Sequence, residues 1–275
     1  MNSYLALILM DLRLIARNRA VLVFQYVFPL IFFFVFAGIF KLGTQGGGSP
    51  AQVLGMVFTL GILGNGLYGA GMRMVQDREA GILRRFKVAP ITPLPLLVSS
   101  IVTGWATYLP LVFGLILLSR MKYGMAWPAR PLSFFVLILL GLAAFRAIGL
   151  IIAAVANTTQ ESNALIQLLY MPCLLLSGAT VPFTVLPGWA AAIAKYLPAR
   201  YLVTGLRAEM DAPDALPVFF ATCFALLAAT ALCLFLAGKL FRWEPEQKIP
   251  GKAKLWFLAA LVPFIVLGLL HRGAP

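Results

Sequence analysis

The densest charge in this sequence lies in an internal segment between two long apolar runs. Its ionisable side chains are Asp77, Arg78, Glu79, Arg84, Arg85 and Lys87. On a helix over residues 76–92, charges of both signs about one turn apart suit ion pairs with a soluble partner. The apolar residues Ile82, Leu83 and Phe86 would anchor the same helix in a cleft, and the prolines that follow would end it: Pro90, Pro93 and Pro95.

Polar side chains also occur inside apolar runs. Arg146 lies near the middle of one, where an arginine costs roughly 2.5–3.5 kcal/mol at the centre of a membrane helix. It should therefore face the bundle interior or a wet cavity, either as a functional residue or as a structural one bound to carbonyls or polar neighbours. Asn163, Gln167 and Tyr170 share one helical face, which fits hydrogen bonding between helices and a substrate path equally well.

The residue types needed for catalysis or metal binding are not grouped in this sequence. The only histidine is His271, the acidic residues fall in loops or at the ends of apolar runs, and no Walker A motif occurs. Cys173, Cys223 and Cys233 lie in apolar runs without metal-ligand spacing. We expect no catalytic residue, cofactor or metal on this chain, so the energy for any work must come from a partner.

Composition predicts an all-α integral membrane protein. Hydrophobic residues make up 61% of the chain and charged residues 11%, against roughly 25% charged residues in soluble domains. The net charge of +13 is spread over the loops between apolar runs, which excludes a nucleic-acid-binding face. Seven runs approach the roughly 20 residues of a membrane span: 21–40, 51–71, 94–118, 133–156, 163–180, 217–238 and 255–270.

The loops also predict an orientation. With a cytoplasmic N-terminus, the inside loops 1–20, 72–93, 157–162 and 239–254 carry 13 Lys or Arg, and the outside loops carry 8. Cytoplasmic loops are usually the richer in positive charge. Glycines in the second run predict close helix packing, within the chain or across a dimer: Gly61, Gly64, Gly66, Gly69 and Gly71.

Three segments depart from simple spans. Residues 1–20 have apolar positions at three- and four-residue steps among arginines, which is typical of an interfacial helix that contacts anionic membrane lipids, the alternative being an N-terminal extension of the first span. Residues 181–212 are interrupted by prolines and predict two short re-entrant helices in the outer leaflet. Residues 241–275 form a basic linker and an additional C-terminal hydrophobic helix.

Two motifs resemble the membrane subunits of ABC-2 type transporters. The first is Glu79-Ala80-Gly81-Ile82-Leu83-Arg84-Arg85 followed by Ala89-Pro90-Ile91-Thr92-Pro93, similar to that family's coupling helix and the turn after it. The second follows the fifth span and is the more specific, with family-signature residues at Ser177, Gly178, Pro182, Leu186, Pro187, Trp189, Leu197, Pro198, Tyr201, Leu206 and Arg207. The resemblance covers residues 1–240 and implies six helical spans, so a seventh run departs from the family pattern.

The resemblance implies a permease subunit in a bacterial plasma membrane that exports a substrate. Two such subunits, as a homodimer or with a related permease, would assemble with two ABC ATPase subunits that bind ATP and Mg. Coupling to the ATPase would involve Glu79, Gly81, Leu83, Arg84, Arg85, Phe86, Pro90 and Pro93. Arg146, Asn163, Gln167 and Tyr170 would line the pathway. The alternative is a non-transporting membrane anchor whose charged loop recruits a soluble partner.

Overall fold

The computed structural model describes residues 3–44, 48–87, 92–211 and 216–270, and this part of the chain is helical, without β-strands. Pro90, the residue at 212 and His271 lie outside it. The helices are α1 Ser3–Arg17, α2 Arg19–Ile39, α3 Pro50–Glu79, α4 Ile82–Lys87, α5 Pro93–Tyr123, α6 Pro131–Val155, α7 Thr159–Leu176, α8 Gly188–Ala194, α9 Pro198–Asp211, α10 Leu216–Lys239 and α11 Val262–Leu270. Helices α2 and α3 contain π-helical stretches, Val23–Val27 and Gly64–Met72, and 3₁₀ turns cover Phe183–Val185 and Gly251–Leu261.

Within the described ranges, five helices are long and apolar enough to cross a membrane: α2, α3, α5, α6 and α10. The fifth predicted span, 163–180, corresponds to the 18-residue helix α7, whose first turns carry Gln160, Glu161 and Asn163. The seventh predicted span corresponds to the shorter apolar helix Lys254–Leu269. The structure therefore confirms an all-helical membrane bundle but not the predicted count of six spans plus a seventh.

Loops assigned by sequence to the same side of the membrane meet at the same end of the bundle. At one end, Ser49 Oγ donates to Asp211 Oδ2 at 3.0 Å, and Arg130 N donates to Glu209 O at 3.3 Å. At the other end, Thr159 N donates to Glu79 Oε1 at 2.8 Å. We call these the outer and inner ends, following the predicted orientation.

Helix α6 is the centre of the bundle and is buried from Gly141 to Val155. The glycine-rich π stretch of α3 packs directly against it. A Cβ at Gly66 would lie 2.5 Å from Phe145 Cβ, and one at Gly71 would lie 2.6 Å from Gly149 O. These two glycines therefore serve packing within the chain, whereas a Cβ at Gly64 would meet nothing within 4 Å.

The two predicted non-spanning segments form separate short helices. Helix α1 ends at Arg17, where Asn18 accepts a hydrogen bond from Val21 N and caps the start of α2. Residues 181–211 contain one 3₁₀ turn and the helices α8 and α9, of 7 and 14 residues. Both helices are too short to cross a bilayer, as the prolines of this segment predict.

The C-terminal run extends from the inner end towards the outer end despite its short length. Near its start, Lys254 forms an ion pair with Glu161, and near its end the Cα of Gly268 packs against Lys195 and Tyr196. A 3₁₀ helix rises about 2.0 Å per residue, against about 1.5 Å in an α-helix. Eleven 3₁₀ and nine α residues therefore cover about 35 Å, which is close to the hydrocarbon thickness of a bilayer.

Candidate functional site

The charged segment that the sequence assigns to one helix over 76–92 is two helices joined by a turn. Helix α3 continues through Arg78 to Glu79, and α4 begins at Ile82. Gly81 between them has φ +69°, a left-handed conformation that glycine adopts at little cost. The single-helix prediction is therefore wrong. Pro93 is the first residue of α5 and does not belong to α4.

Helix α4 turns its apolar side inward. Leu83 is 2% exposed and belongs to the hydrophobic core, and Phe86 packs against that core while half-buried. The chain itself covers Leu83 and leaves Phe86 partly accessible, and the anchoring role of these two residues towards a partner protein stays a prediction. Arg84 and Arg85 are exposed and make no hydrogen bond or ion pair with the described part of the chain. Together with the exposed Ile82, they are what α4 presents outward.

Arg78 and Glu79, the last two residues of α3, bind the adjoining ends of α6 and α7. Arg78 is 2% exposed and donates to Ala153 O at 2.9 Å and to Ala156 O at 2.5 Å. These carbonyls lie at the C-terminal end of α6. There the last carbonyl groups of a helix lack N–H donors within the helix, and the helix dipole favours a positive charge. Glu79 accepts from Thr159 N at 2.8 Å and from Thr159 Oγ1 at 2.5 Å, at the start of α7.

A second arginine reaches the same junction from the segment after α10. Arg242 is 7% exposed and donates to Ala154 O at 2.9 Å, to Ala156 O at 2.7 Å and to Asn157 Oδ1 at 2.8 Å. Asn157 in turn accepts from Ile249 N at 2.9 Å. The α6–α7 junction is thus held from both sides, and the sequence analysis missed this role of Arg242 because its partners lie 85 to 88 residues away.

Charged side chains also connect α1 to the inner end of α3. Arg73 donates to Asp11 Oδ1 at 2.9 Å and lies 3.8 Å from Asp77. Burial raises the pKa of the Asp11 carboxyl above its ordinary value, although the Arg73 guanidinium opposes that shift. A cavity of about 90 Å³ beside these residues is also lined by Phe86 of α4 and by Arg146. Helix α1, the charged segment and α6 therefore meet at one place.

Arg146 is 3% exposed and braces three helices. Its guanidinium donates to Asn65 Oδ1 on α3 at 2.7 Å and to Ser100 Oγ on α5 at 3.2 Å. Gly104 of α5 makes room for it, because a Cβ there would lie 2.4 Å from Arg146 Cδ. The buried charge of Arg146 is thus bound to polar neighbours, as expected if this residue has a structural role.

In the described part of the chain, no hydrogen bond joins Arg146 to the polar face of α7. Tyr170 packs its ring 5.5 Å from that of Tyr68 on α3, while Arg146 binds Asn65 on the same helix. Asn163 is exposed and Gln167 half-buried, and neither amide hydrogen-bonds to the described residues. Helix α7 thus presents two unsatisfied amides on an open face.

The family-signature residues build the outer end of the bundle. Ser177 and Gly178 follow α7, and Gly178 has φ +86° with the Phe183 ring packed against it. Pro182 precedes the 3₁₀ turn, Leu186 follows it, and Pro187 precedes α8, on which Trp189 is exposed. On α9, Pro198 and Leu206 are buried, and Tyr201 donates to Lys195 O at 3.0 Å. Arg207 is exposed at the rim of a second cavity, of about 180 Å³.

The sequence is similar to those of known proteins. The sequence model of the ABC-2 type transporter family matches residues 2–210. The linearmycin resistance permease protein LnrN of Bacillus subtilis (strain 168) is 28% identical over 177 residues, which are 62% of this chain and 44% of that protein. A transport permease of the same organism, YvfS, is 22% identical over 204 residues, 71% of this chain and 80% of that protein. This chain thus aligns with less than half of the first relative.

A family match over most of a multi-helix membrane chain settles the classification: this is a multi-pass membrane protein that belongs to the ABC-2 type transporter family.

Proposed function

We propose that this chain is the permease subunit of an ATP-driven exporter and couples to its ATPase subunit through α4. The observation that carries the proposal is that two pairs of charged residues at the α3–α4 turn make different contacts. Arg84 and Arg85 point outward and have no partner among the described residues, while Arg78 and Glu79 hold the ends of α6 and α7. An ATPase carboxylate that binds the outward arginines would thereby be linked to two helices of the bundle.

In this mechanism, ATP and Mg bind to the two ATPase subunits, and this chain supplies no residue to that chemistry. Closure of the ATPases displaces α4. Because Leu83 is packed in the core, α4 moves with its surroundings and does not slide over them. Arg78 and Glu79 pass the displacement to α6 and α7, which changes access to the pathway.

The pathway is proposed to run along α7, between this chain and a second permease subunit, identical or related. The amides of Asn163 and Gln167 lack partners in the described chain, and a lipid environment would leave them unsatisfied. A facing subunit or a water-filled path would satisfy both amides, and Tyr170 borders the same face. For Arg146, the bonds to Asn65 and Ser100 favour a bracing role over pathway lining.

The pathway proposal can be tested with two leucine substitutions. Gln167→Leu should slow transport in a protein that folds and assembles normally, because it removes a polar group from the path. Arg146→Leu should instead lower stability, since it removes the brace between α3, α5 and α6. Wild-type transport by a well-folded Gln167→Leu protein would overturn the assignment of α7.

Export across a bacterial plasma membrane is the direction and location that we propose, on the basis of the family and of the two Bacillus subtilis relatives named as permeases. The competing function is a membrane anchor that recruits a soluble partner without transport. The two differ in coupling, because an anchor binds its partner without changing the partner's rate of ATP hydrolysis.

The deciding experiment is co-expression with an ABC ATPase subunit, purification in lipid nanodiscs and measurement of ATP hydrolysis. We expect the complex to form, and the permease to change the hydrolysis rate. The double variant Arg84→Ala, Arg85→Ala should lose that effect, while Arg120→Ala, which removes an exposed arginine from the opposite end of the bundle, should not. Binding without any change in hydrolysis would favour the anchor.

A further inference from the structure

A cavity at the outer end of the bundle has no assigned role. It encloses about 180 Å³ between the start of α3, the turn after α7 and one face of α9. For comparison, an engineered cavity of about 150 Å³ in another protein accommodates benzene. This outer cavity is therefore large enough for a ring or a short stretch of alkyl chain.

The outer cavity has buried apolar walls and half-buried polar walls. Met56 and Val203 are buried and form an apolar surface with the ring of Phe183. Gln52 and Thr204 line the same space while half-buried, so they add hydrogen-bonding groups nearer to solvent. A molecule with an apolar tail and a polar head matches this arrangement.

The charge around the outer cavity is positive. Arg200 and Arg207 are seven residues apart on α9, which places them about 10 Å apart along one face of the helix. Arg200 stacks over the Phe183 ring at 4.8 Å from its centroid. Arg207 lines the cavity, is exposed, and makes no hydrogen bond or ion pair with the described residues.

The carboxylates on the described part of α9 are engaged elsewhere. Glu209 is buried on the opposite side of α9, 3.9 Å from Arg130, and Asp211 accepts a hydrogen bond from Ser49. Neither carboxylate lines the outer cavity. No described residue of the chain thus occupies the Arg207 guanidinium, and its planar fork can bind the carboxylate or phosphate of an anion from outside through two hydrogen bonds.

We propose that the outer cavity binds an amphipathic anion, with its carboxylate or phosphate on Arg207 and its tail against Met56, Phe183 and Val203. This inference goes beyond the proposed transport function, because binding requires neither ATP nor the ATPase. The ligand has two sources, an anionic lipid of the outer leaflet or a free amphiphile on its way out of the membrane, and both present the same chemistry to the cavity.

Native mass spectrometry of the delipidated full-length chain in a neutral detergent tests this proposal. The probes are a phosphatidylglycerol, decanoate and the zwitterionic phosphatidylcholine. We expect one saturable anion per chain, bound about tenfold more weakly or worse after Arg207→Gln and after Thr204→Trp, which fills the cavity. Arg207→Lys should restore part of the affinity, and Arg120→Gln, an exposed arginine at the same end, should leave it unchanged.

The probes also separate the two sources. Saturation by phosphatidylglycerol alone identifies an outer-leaflet lipid, and saturation by decanoate alone identifies a free amphiphile. The proposal is overturned if neither anion saturates, if phosphatidylcholine binds as tightly as the anions, or if Arg207→Gln binds like the wild type. Because Arg207 is exposed, its substitution should not prevent folding. A loss of anion binding in Arg207→Gln can therefore be assigned to the missing guanidinium and not to misfolding.

Discussion

Arg78→Ala should weaken both the fold and its coupling to an ATPase, for a reason that can be worked out from the hydrogen bonds at the end of α6. Arg78 donates to Ala153 O and Ala156 O, and Ala156 O also accepts from Arg242. Hydrogen bonds from a charged donor contribute about 1.5–3 kcal/mol each. The substitution leaves only Ala153 O without a donor, and it relieves the repulsion between two adjacent guanidinium groups. We therefore expect a loss of about 2–4 kcal/mol in the free energy of unfolding.

The assay is thermal unfolding of the chain in nanodiscs. At about 2–4 °C per kcal/mol for a chain of this size, the midpoint should fall by roughly 5–15 °C. The midpoint of Arg78→Lys should lie between those of the wild type and Arg78→Ala, because a lysine cannot bind both carbonyls through a planar fork. Arg84→Ala serves as the control, since that side chain is exposed. A wild-type midpoint for Arg78→Ala would refute the role assigned to this residue.

Three further predictions follow from other contacts. Gly104→Ala should lower the unfolding midpoint by pushing against Arg146, whereas Gly114→Ala on the same helix, with open space around it, should not. Arg242→Gln should leave ATPase binding intact but reduce the permease-dependent change in ATP hydrolysis, because the α6–α7 junction loses its second tether. Burial raises the pKa of the Glu209 carboxyl above its ordinary value of 4.5, so the fold disfavours its charged form. The contribution of Glu209 to stability should therefore fall as pH rises from about 4.5 through its folded-state pKa, and Glu209→Gln should remove this contribution and raise the midpoint at neutral pH.

The sequence predicted the parts of the fold that depend on local composition. Apolar runs located α5, α6 and α10, and the prolines of residues 181–212 predicted short helices in place of a span. The sequence predicts a span over 163–180, but the polar residues at the start of α7 leave that helix less apolar than α2, α3, α5, α6 and α10.

The contacts of the charged segment could not be predicted, because they join residues far apart in the chain. Arg78 binds carbonyls 75 and 78 residues away, and no local pattern indicates such partners. The spacing of Leu83 and Phe86 fits an anchor for another protein and a contact with the chain's own core equally well. The structure adds that Leu83 lies in the core and that Phe86 packs against it. The helix predicted over 76–92 includes Gly81, whereas the left-handed conformation of this glycine separates α3 from α4.

The most direct test of the central claim is site-specific photo-cross-linking between this chain and the ATPase subunit in the assembled complex. A photoreactive residue would replace Arg84 or Arg85 on α4, and Met121, an exposed residue near the other end of the bundle, would serve as the control position. The coupling account predicts ATPase cross-links from positions 84 and 85 and none from position 121. A complex that forms but yields no cross-link from either α4 position would show that the ATPase is held elsewhere and would contradict the account.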